Sequence, residues 1–170
     1  MQTEERRASI REILSAAAEP VSAGVLAARF HVSRQAIVGD VALLRAAGLE
    51  ITATPRGYVL QSAPEGLVRQ IACRHSDADM AAELNAIVDQ GCTVLDVIVE
   101  HPVYGQITGP LQLKSRYDVE QFLLRCAAAG AHPLSDLTGG IHLHTLSCPD
   151  EESLGRVRQS LRRLGFLLET

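Results

Sequence analysis

Near the C-terminal end of this 170-residue chain two histidines stand one residue apart, in Gly139-Gly140-Ile141-His142-Leu143-His144-Thr145. After the paired glycines apolar and polar residues alternate. The pattern predicts a strand with Ile141, Leu143 and Thr145 on one face and both imidazoles on the other. Two imidazoles side by side on a rigid strand are half of a metal site. Candidates for the other half are His75, at the end of an earlier predicted strand, and Glu83, about two turns into the helix that follows. Imidazoles with a carboxylate suit zinc, nickel or iron(II), and such sites commonly keep a position for water or a small ligand. Cys73, two residues before His75, would share its strand face, either as a further ligand or as plain core.

The elements that must position these residues follow from periodicity. Leu67 to His75 reads as a strand, and Ser76 or Asp77 begins a helix through Met80, Leu84, Ile87 and Val88. Cys92 to Glu100 is a β-branched run, His101-Pro102-Val103-Tyr104-Gly105 turns, and Gln106 to Leu113 returns as the second strand of a hairpin. Ser115 caps a helix through Val119, Phe122, Leu123 and Cys126. The histidine strand comes next, and Pro149-Asp150 opens a last helix through Leu154, Val157, Leu161 and Leu164. The order βαββαβα predicts a mainly antiparallel sheet with helices on one face. His101 has two open readings, lining a small-molecule pocket with Tyr104 or holding the turn through a backbone hydrogen bond.

The first third of the chain is organised differently. Ile10, Ile13, Leu14 and Ala17 form one face of a helix that ends before Pro20. Ser22 caps a short second helix through Val25, Leu26 and Phe30. His31-Val32-Ser33 turns, with His31 an ordinary packed or solvated residue, and Ser33 caps a third helix whose apolar face is Ile37, Val41 and Leu44. Gly48 ends it. Leu49 to Ala53 and Tyr58 to Leu60, either side of Thr54-Pro55-Arg56-Gly57, predict a hairpin. Helix, helix, turn, helix, hairpin is the winged helix-turn-helix plan, in which the third helix enters the major groove of DNA. Ser33, Arg34 and Gln35 at its start are the DNA-binding candidates, with Arg56 in the wing for phosphate or the minor groove. Arg45 reads as a solvated or backbone-facing charge, and Asp40, which would repel phosphate, as structural. The expected divisions are a DNA-binding domain at 1–61, a linker at 62–66 with turn chemistry, and a second domain at 67–170.

Composition narrows the function classes. Residues 1–60 carry a net charge of +1 and residues 61–170 a net charge of −5, so the second domain is a poor nucleic-acid binder and the first must rely on local Arg placement. No apolar run reaches transmembrane length, and the acidic N-terminus lacks a signal h-region, so a soluble cytoplasmic protein with no membrane partner is expected. Four scattered cysteines without a C-x-x-C pair are then expected to be free buried thiols.

Two resemblances sharpen the reading. Val32-Ser33-Arg34-Gln35-Ala36-Ile37, with Asp40, Leu44-Arg45, Gly48 and Arg56-Gly57-Tyr58, resembles the winged helix at the front of biotin-repressor-type regulators. Gly39 departs from it, standing where such helices commonly carry a basic residue. Arg74-His75, Glu83-Leu84, His101-Pro102-Val103-Tyr104-Gly105 and Gly140 to Thr145 resemble the three-histidine (3H) domain of NiaR-type niacin-responsive transcriptional repressors. That resemblance implies an α+β chain: a winged helix-turn-helix followed by a βαββαβα sandwich-like 3H domain that binds metal and effector. It implies a nickel or zinc ion on His75, Glu83, His142 and His144, and nicotinic acid as corepressor for genes of NAD biosynthesis or niacin uptake.

A winged helix reading one half-site binds weakly, so a homodimer on double-stranded operator DNA is expected, paired through the second domain. Two rival functions are a metal-responsive repressor and a small metallohydrolase with an appended winged helix. The second lacks an H-E-x-x-H or nucleophile-elbow pattern, and no enzyme is expected. A biotin ligase is excluded, because about 110 residues cannot hold that catalytic domain and its Gly/Arg-rich loop is absent.

Overall fold

The structure, a computed structural model, describes residues 3–61 and 66–169. The chain separates into two compact units, Met1–Ala63 and Pro64–Thr170. Most of the expected linker, 62–66, lies outside the described residues.

In the first unit α1 (Thr3–Ala16), α2 (Ala23–Phe30) and α3 (Arg34–Ala46) precede a hairpin of β1 (Ile51–Thr54) and β2 (Gly57–Leu60). The caps are those the sequence predicts. Ser22 accepts the amide of Val25, and Ser33 accepts the amide of Ala36. Between α2 and α3 His31 takes a left-handed conformation, φ 54°, which begins the short turn through Val32 and Ser33. Ile10, Leu14, Leu26, Ile37, Val41 and Tyr58 form the core. Asp40 is buried against Arg6, whose Nε donates at 2.6 Å, so it is a structural anion that ties α1 to α3. Arg45 faces backbone: its Nε donates to the Ile51 carbonyl at 2.6 Å, and its guanidinium lies 5.9 Å above the Tyr58 ring.

The second unit runs β3 (Leu67–Arg74), a 3-10 turn (Asp77–Asp79), α4 (Met80–Val88), β4 (Thr93–His101), β5 (Gly105–Leu113), α5 (Arg116–Ala129), a second 3-10 turn (Leu134–Thr138), β6 (Ile141–Cys148) and α6 (Glu151–Leu164). The sheet order is β3-β6-β4-β5 and every pairing is antiparallel. The last strand is thus inserted between the first and second. The strands' inward residues Ile71, Cys73, Val94, Leu113 and Leu146 pack against Leu84 and Ile87 of α4, Val119 of α5, and Leu154, Val157 and Leu161 of α6. The spacing of 154, 157 and 161 is one helix face, and burying each such side chain contributes about 1.5–3 kcal/mol.

One expectation is overturned here. Cys92 and Cys148 are bonded as a disulfide, while Cys73 and Cys126 are free. The cause is topological. Cys92 immediately precedes β4 and Cys148 ends β6, and the neighbouring pair Thr93–Ser147 is in register. The two cysteines stand opposite each other on adjacent strands, a proximity that their 56-residue separation hides.

Candidate metal centre

Strand alternation aims His142 and His144 inward from β6, and both are buried while Ile141 on the opposite face is exposed. The β3–β6 register sets Arg74 opposite Ile141, so His75, one residue on, stands beside the start of the same strand. Gly140 permits the approach: its φ is +90°, and a Cβ there would collide with the His75 carbonyl oxygen. Helix α4 carries Glu83 over this corner with its side chain 1% exposed.

Four sequence-selected residues therefore converge. His75 Nε2 is 2.6 Å from Glu83 Oε2, His142 Nε2 is 3.0 Å from Oε1, and His144 Nε2 is 3.2 Å from Oε2. The donor atoms of His75, Glu83 and His142 all lie within 4.8 Å of one another. The far side of each ring is also held. Nδ1 of His75 meets the Ser76 carbonyl at 2.7 Å, that of His142 the Gly140 carbonyl at 2.9 Å, and that of His144 the Asp96 carbonyl at 2.7 Å. A carbonyl only accepts, so each Nδ1 carries a hydrogen, and in a neutral ring the lone pair then sits on Nε2.

Three such lone pairs facing one carboxylate are stable only with a positive charge among them. Protons on the rings do this. A divalent cation with neutral imidazoles does it at +1, and the donor atoms of His75, Glu83 and His142 are the ones close enough together to share it, with His144 joined to them through Glu83. The outer hydrogen bonds to carbonyls are the arrangement that orients metal-binding histidines. His75, Glu83 and His142 fit such an ion.

The same electrostatics shift the ionisation of His75, His144 and Glu83. Burial opposes charge on His75, but its hydrogen bond to Glu83 and that anion's charge hold its pKa above the usual value. His144 is likewise raised against full burial, by the Glu83 charge first. Burial opposes the Glu83 anion too, yet the His144 charge and three imidazole hydrogen bonds keep its carboxyl well below the ordinary range. The raised histidines stabilise the fold below their unfolded pKa, and that gain is lost as pH rises through the folded values. The lowered Glu83 stabilises above its unfolded pKa, and that gain is lost as pH falls through the folded value. Metal-stripped protein should therefore be most stable between the unfolded values, roughly pH 4.3–6.5. Calorimetry from pH 4 to 9 should show the second unit's Tm falling above that window; a Tm flat to pH 9 contradicts the charged cluster.

Beside His75 lies an open cleft of about 700 Å³, lined by Arg74, Asp77, Asp136 and Gly140 among others. His101 and Tyr104 do not line it. They sit at the β4–β5 turn, where His101 Nδ1 accepts the amides of Val103 and Tyr104 at 3.1 and 3.3 Å, and the Tyr104 side chain projects outward. His101 thus holds the turn. Arg116 is engaged on the surface by Asp89.

Sequence reasoning missed the carbonyl partners. Asp96 belongs to a β-bulge, where the β4 register shifts between Val94 and Asp96, and such irregularities re-aim groups beside functional sites. It also missed Asp77, His132 and Asp136, a second, exposed group near the cleft.

In the first unit Ser33, Arg34 and Gln35 are exposed at the start of α3. The Ser33 hydroxyl is the cap. Val38, one turn beyond Arg34, is also exposed and was not among the candidates. Arg56 is not a free cation, since its guanidinium pairs with Glu19 at 2.7 Å. Among the described residues no helix is long and apolar enough to cross a membrane.

Known proteins match both units. An HTH domain model matches residues 6–59 and a 3H domain model residues 68–170. The chain is 45% identical over 166 residues to "Probable transcription repressor NiaR" of Thermotoga maritima, covering 98% of this chain and 95% of that protein. It is 40% identical over 168 residues to "Transcription repressor NadR" of Bacillus subtilis, covering 96% and 93%. The chain belongs to the NiaR/NadR family of transcription repressors, an HTH domain followed by a 3H domain.

Proposed function

We propose that this protein is a cytoplasmic, homodimeric repressor that binds double-stranded operator DNA through its first unit and responds to nicotinic acid through its second. Its target genes would be those of NAD biosynthesis or niacin uptake. The observation that carries the reading is the convergence of three Nε2 atoms on Glu83, with every Nδ1 already committed to a carbonyl. We infer that His75, Glu83, His142 and His144 hold nickel or zinc, an ion that supplies an electrophilic position for a carboxylate or a pyridine nitrogen. The cleft beside His75 has room for a small pyridine carboxylate, and Arg74 on its wall offers a counter-charge. No catalysis is required of these residues. The ion is an anchor and the small molecule is the signal.

On the DNA side, Arg34 and Gln35 are the base-edge readers, and Val38 offers an apolar contact for a thymine methyl. Ligand-dependent repression needs a nicotinic-acid-bound state of higher operator affinity. The test is operator binding by metal-loaded protein with and without nicotinic acid. Tighter binding with the ligand is expected, and equal affinity ends the corepressor reading. Titrating metal at fixed nicotinic acid separates the anchor from a metal signal, because an anchoring ion saturates without grading the response. Elemental analysis should find metal in the wild type and none in the folded His142→Ala/His144→Ala variant.

Gly39 gives a further prediction. It is exposed within α3, and a Cβ there meets nothing within 4 Å. Gly39→Ala should raise the stability of the first unit by about 1 kcal/mol. Gly39→Lys should in addition tighten operator binding and steepen its salt dependence by about one phosphate contact. Melts and binding isotherms at several salt concentrations check both; an unchanged salt slope for the lysine variant places that face away from the phosphates.

A further inference from the structure

We propose that the side chain of Asp96 is a positioning group of the centre. Its carboxylate takes the Thr145 amide, which leaves the Asp96 carbonyl to His144 and so aims His144 Nε2 at Glu83. These hydrogen bonds stand without an ion; their effect on metal affinity rests on the metal reading above. Asp96 is the one charged residue in the run Thr93-Val94-Leu95-Asp96-Val97-Ile98-Val99. A charge that breaks the pattern of a strand calls for a local reason, and the register supplies one. Val94 pairs with Leu146 and Asp96 with Thr145, so Leu95 is the extra residue of a bulge. In a regular antiparallel ladder the amide of a hydrogen-bonded pair goes to the carbonyl of its partner. Here the Thr145 amide donates to Asp96 Oδ1 at 3.0 Å, and the Asp96 carbonyl accepts His144 Nδ1 at 2.7 Å. Pro110, which stands opposite Asp96 on β5, has no amide to offer that carbonyl. With its hydrogen on Nδ1, a neutral His144 ring carries its lone pair on Nε2, 3.2 Å from Glu83 Oε2. The ring also meets His142 edge to face, with centroids 4.8 Å apart, so a turned His144 would disturb its neighbour in the set.

The test uses the full-length wild type, D96N, D96A and D96L, with zinc as the probe. Affinity is measured by chelator competition. Nitrogen-15 NMR reads which ring nitrogen of His144 carries hydrogen, in zinc-loaded protein and in zinc-free protein at alkaline pH. Asparagine keeps the acceptor oxygen and alanine removes it; leucine fills the space without it and serves if the alanine variant does not fold. D96N should bind zinc within about threefold of the wild type and keep the His144 hydrogen on Nδ1. D96A and D96L should bind about ten- to a hundredfold more weakly, with that hydrogen divided between the two ring nitrogens. Wild-type affinity in the variants without an acceptor overturns the proposal, and so does an unaltered Nδ1 hydrogen, which would leave Asp96 a role in stability alone. D96N failing alongside them overturns it too, by assigning the effect to charge. A wild type that binds no zinc removes the metal reading, and the hydrogen positions in the zinc-free variants then decide the role of Asp96 by themselves.

Discussion

Glu83→Ala is expected to be the most damaging single substitution in the second unit. It leaves three buried imidazoles, two on β6 and one just past the end of β3, without the one anion they share. Removing one partner from a buried charge cluster typically costs about 3–5 kcal/mol, because the remaining charges lose compensation but stay out of water. For a unit of this size that lowers Tm by more than about 10 °C. On the proposed metal reading the ion would lose its carboxylate ligand as well, and metal affinity should fall with the stability. Glu83→Gln separates charge from volume. It fills the same space, but its neutral amide must turn either an oxygen or an NH2 group toward each ring, and three rings cannot all be satisfied. If charge is what matters, the glutamine variant should lose nearly as much as alanine in both melts and metal titration. If glutamine behaves as the wild type does, Glu83 is a packing residue and the centre is not built around its anion.

How much of this was visible beforehand depends on whether the cause was local. Alternation in Ile141-His142-Leu143-His144 encodes which rings point inward, because strand geometry fixes the side-chain period. Capping by Ser22, Ser33 and Asp150 is equally local. That His75 meets His142, by contrast, depends on β6 inserting between β3 and β4, and pairing partners so far apart leave no periodic trace. The same insertion brings Cys92 to Cys148, which a reading of spacing and compartment left unpaired. The bulge at Asp96 could not be anticipated either. Asp96 sits within an otherwise β-branched run, and an aspartate there gives no sign that its backbone carbonyl is the group that counts. Arg56 illustrates a complementary limit: a cation in a wing turn invites a phosphate, and only the fold shows Glu19 beside it.

Gly140→Ala should disable the centre without touching a ligand. Gly139 and Gly140 both have positive φ, +61° and +90°, but they differ in surroundings. A Cβ on Gly139 meets nothing within 4 Å, whereas one on Gly140 is driven into the His75 carbonyl. Backbone cannot yield as a flexible side chain can, so the strand must move away from His75. Gly140 also accepts the His75 amide at 3.4 Å and His142 Nδ1 at 2.9 Å, and its own amide donates to Ser135 at 2.8 Å. Displacing this one residue therefore loosens two of the proposed ligands and the turn before them. Gly139→Ala should cost about 1 kcal/mol, the ordinary penalty for a side chain in the left-handed region. Gly140→Ala adds the collision and should cost roughly 2–5 kcal/mol, with metal affinity lowered in parallel. Melts and metal titrations of the two variants make the comparison internal to one dipeptide. Equal losses would mean that conformational freedom alone explains the glycines; a much larger loss at 140, in metal affinity above all, identifies Gly140 as the clearance that lets His75 reach the histidine strand.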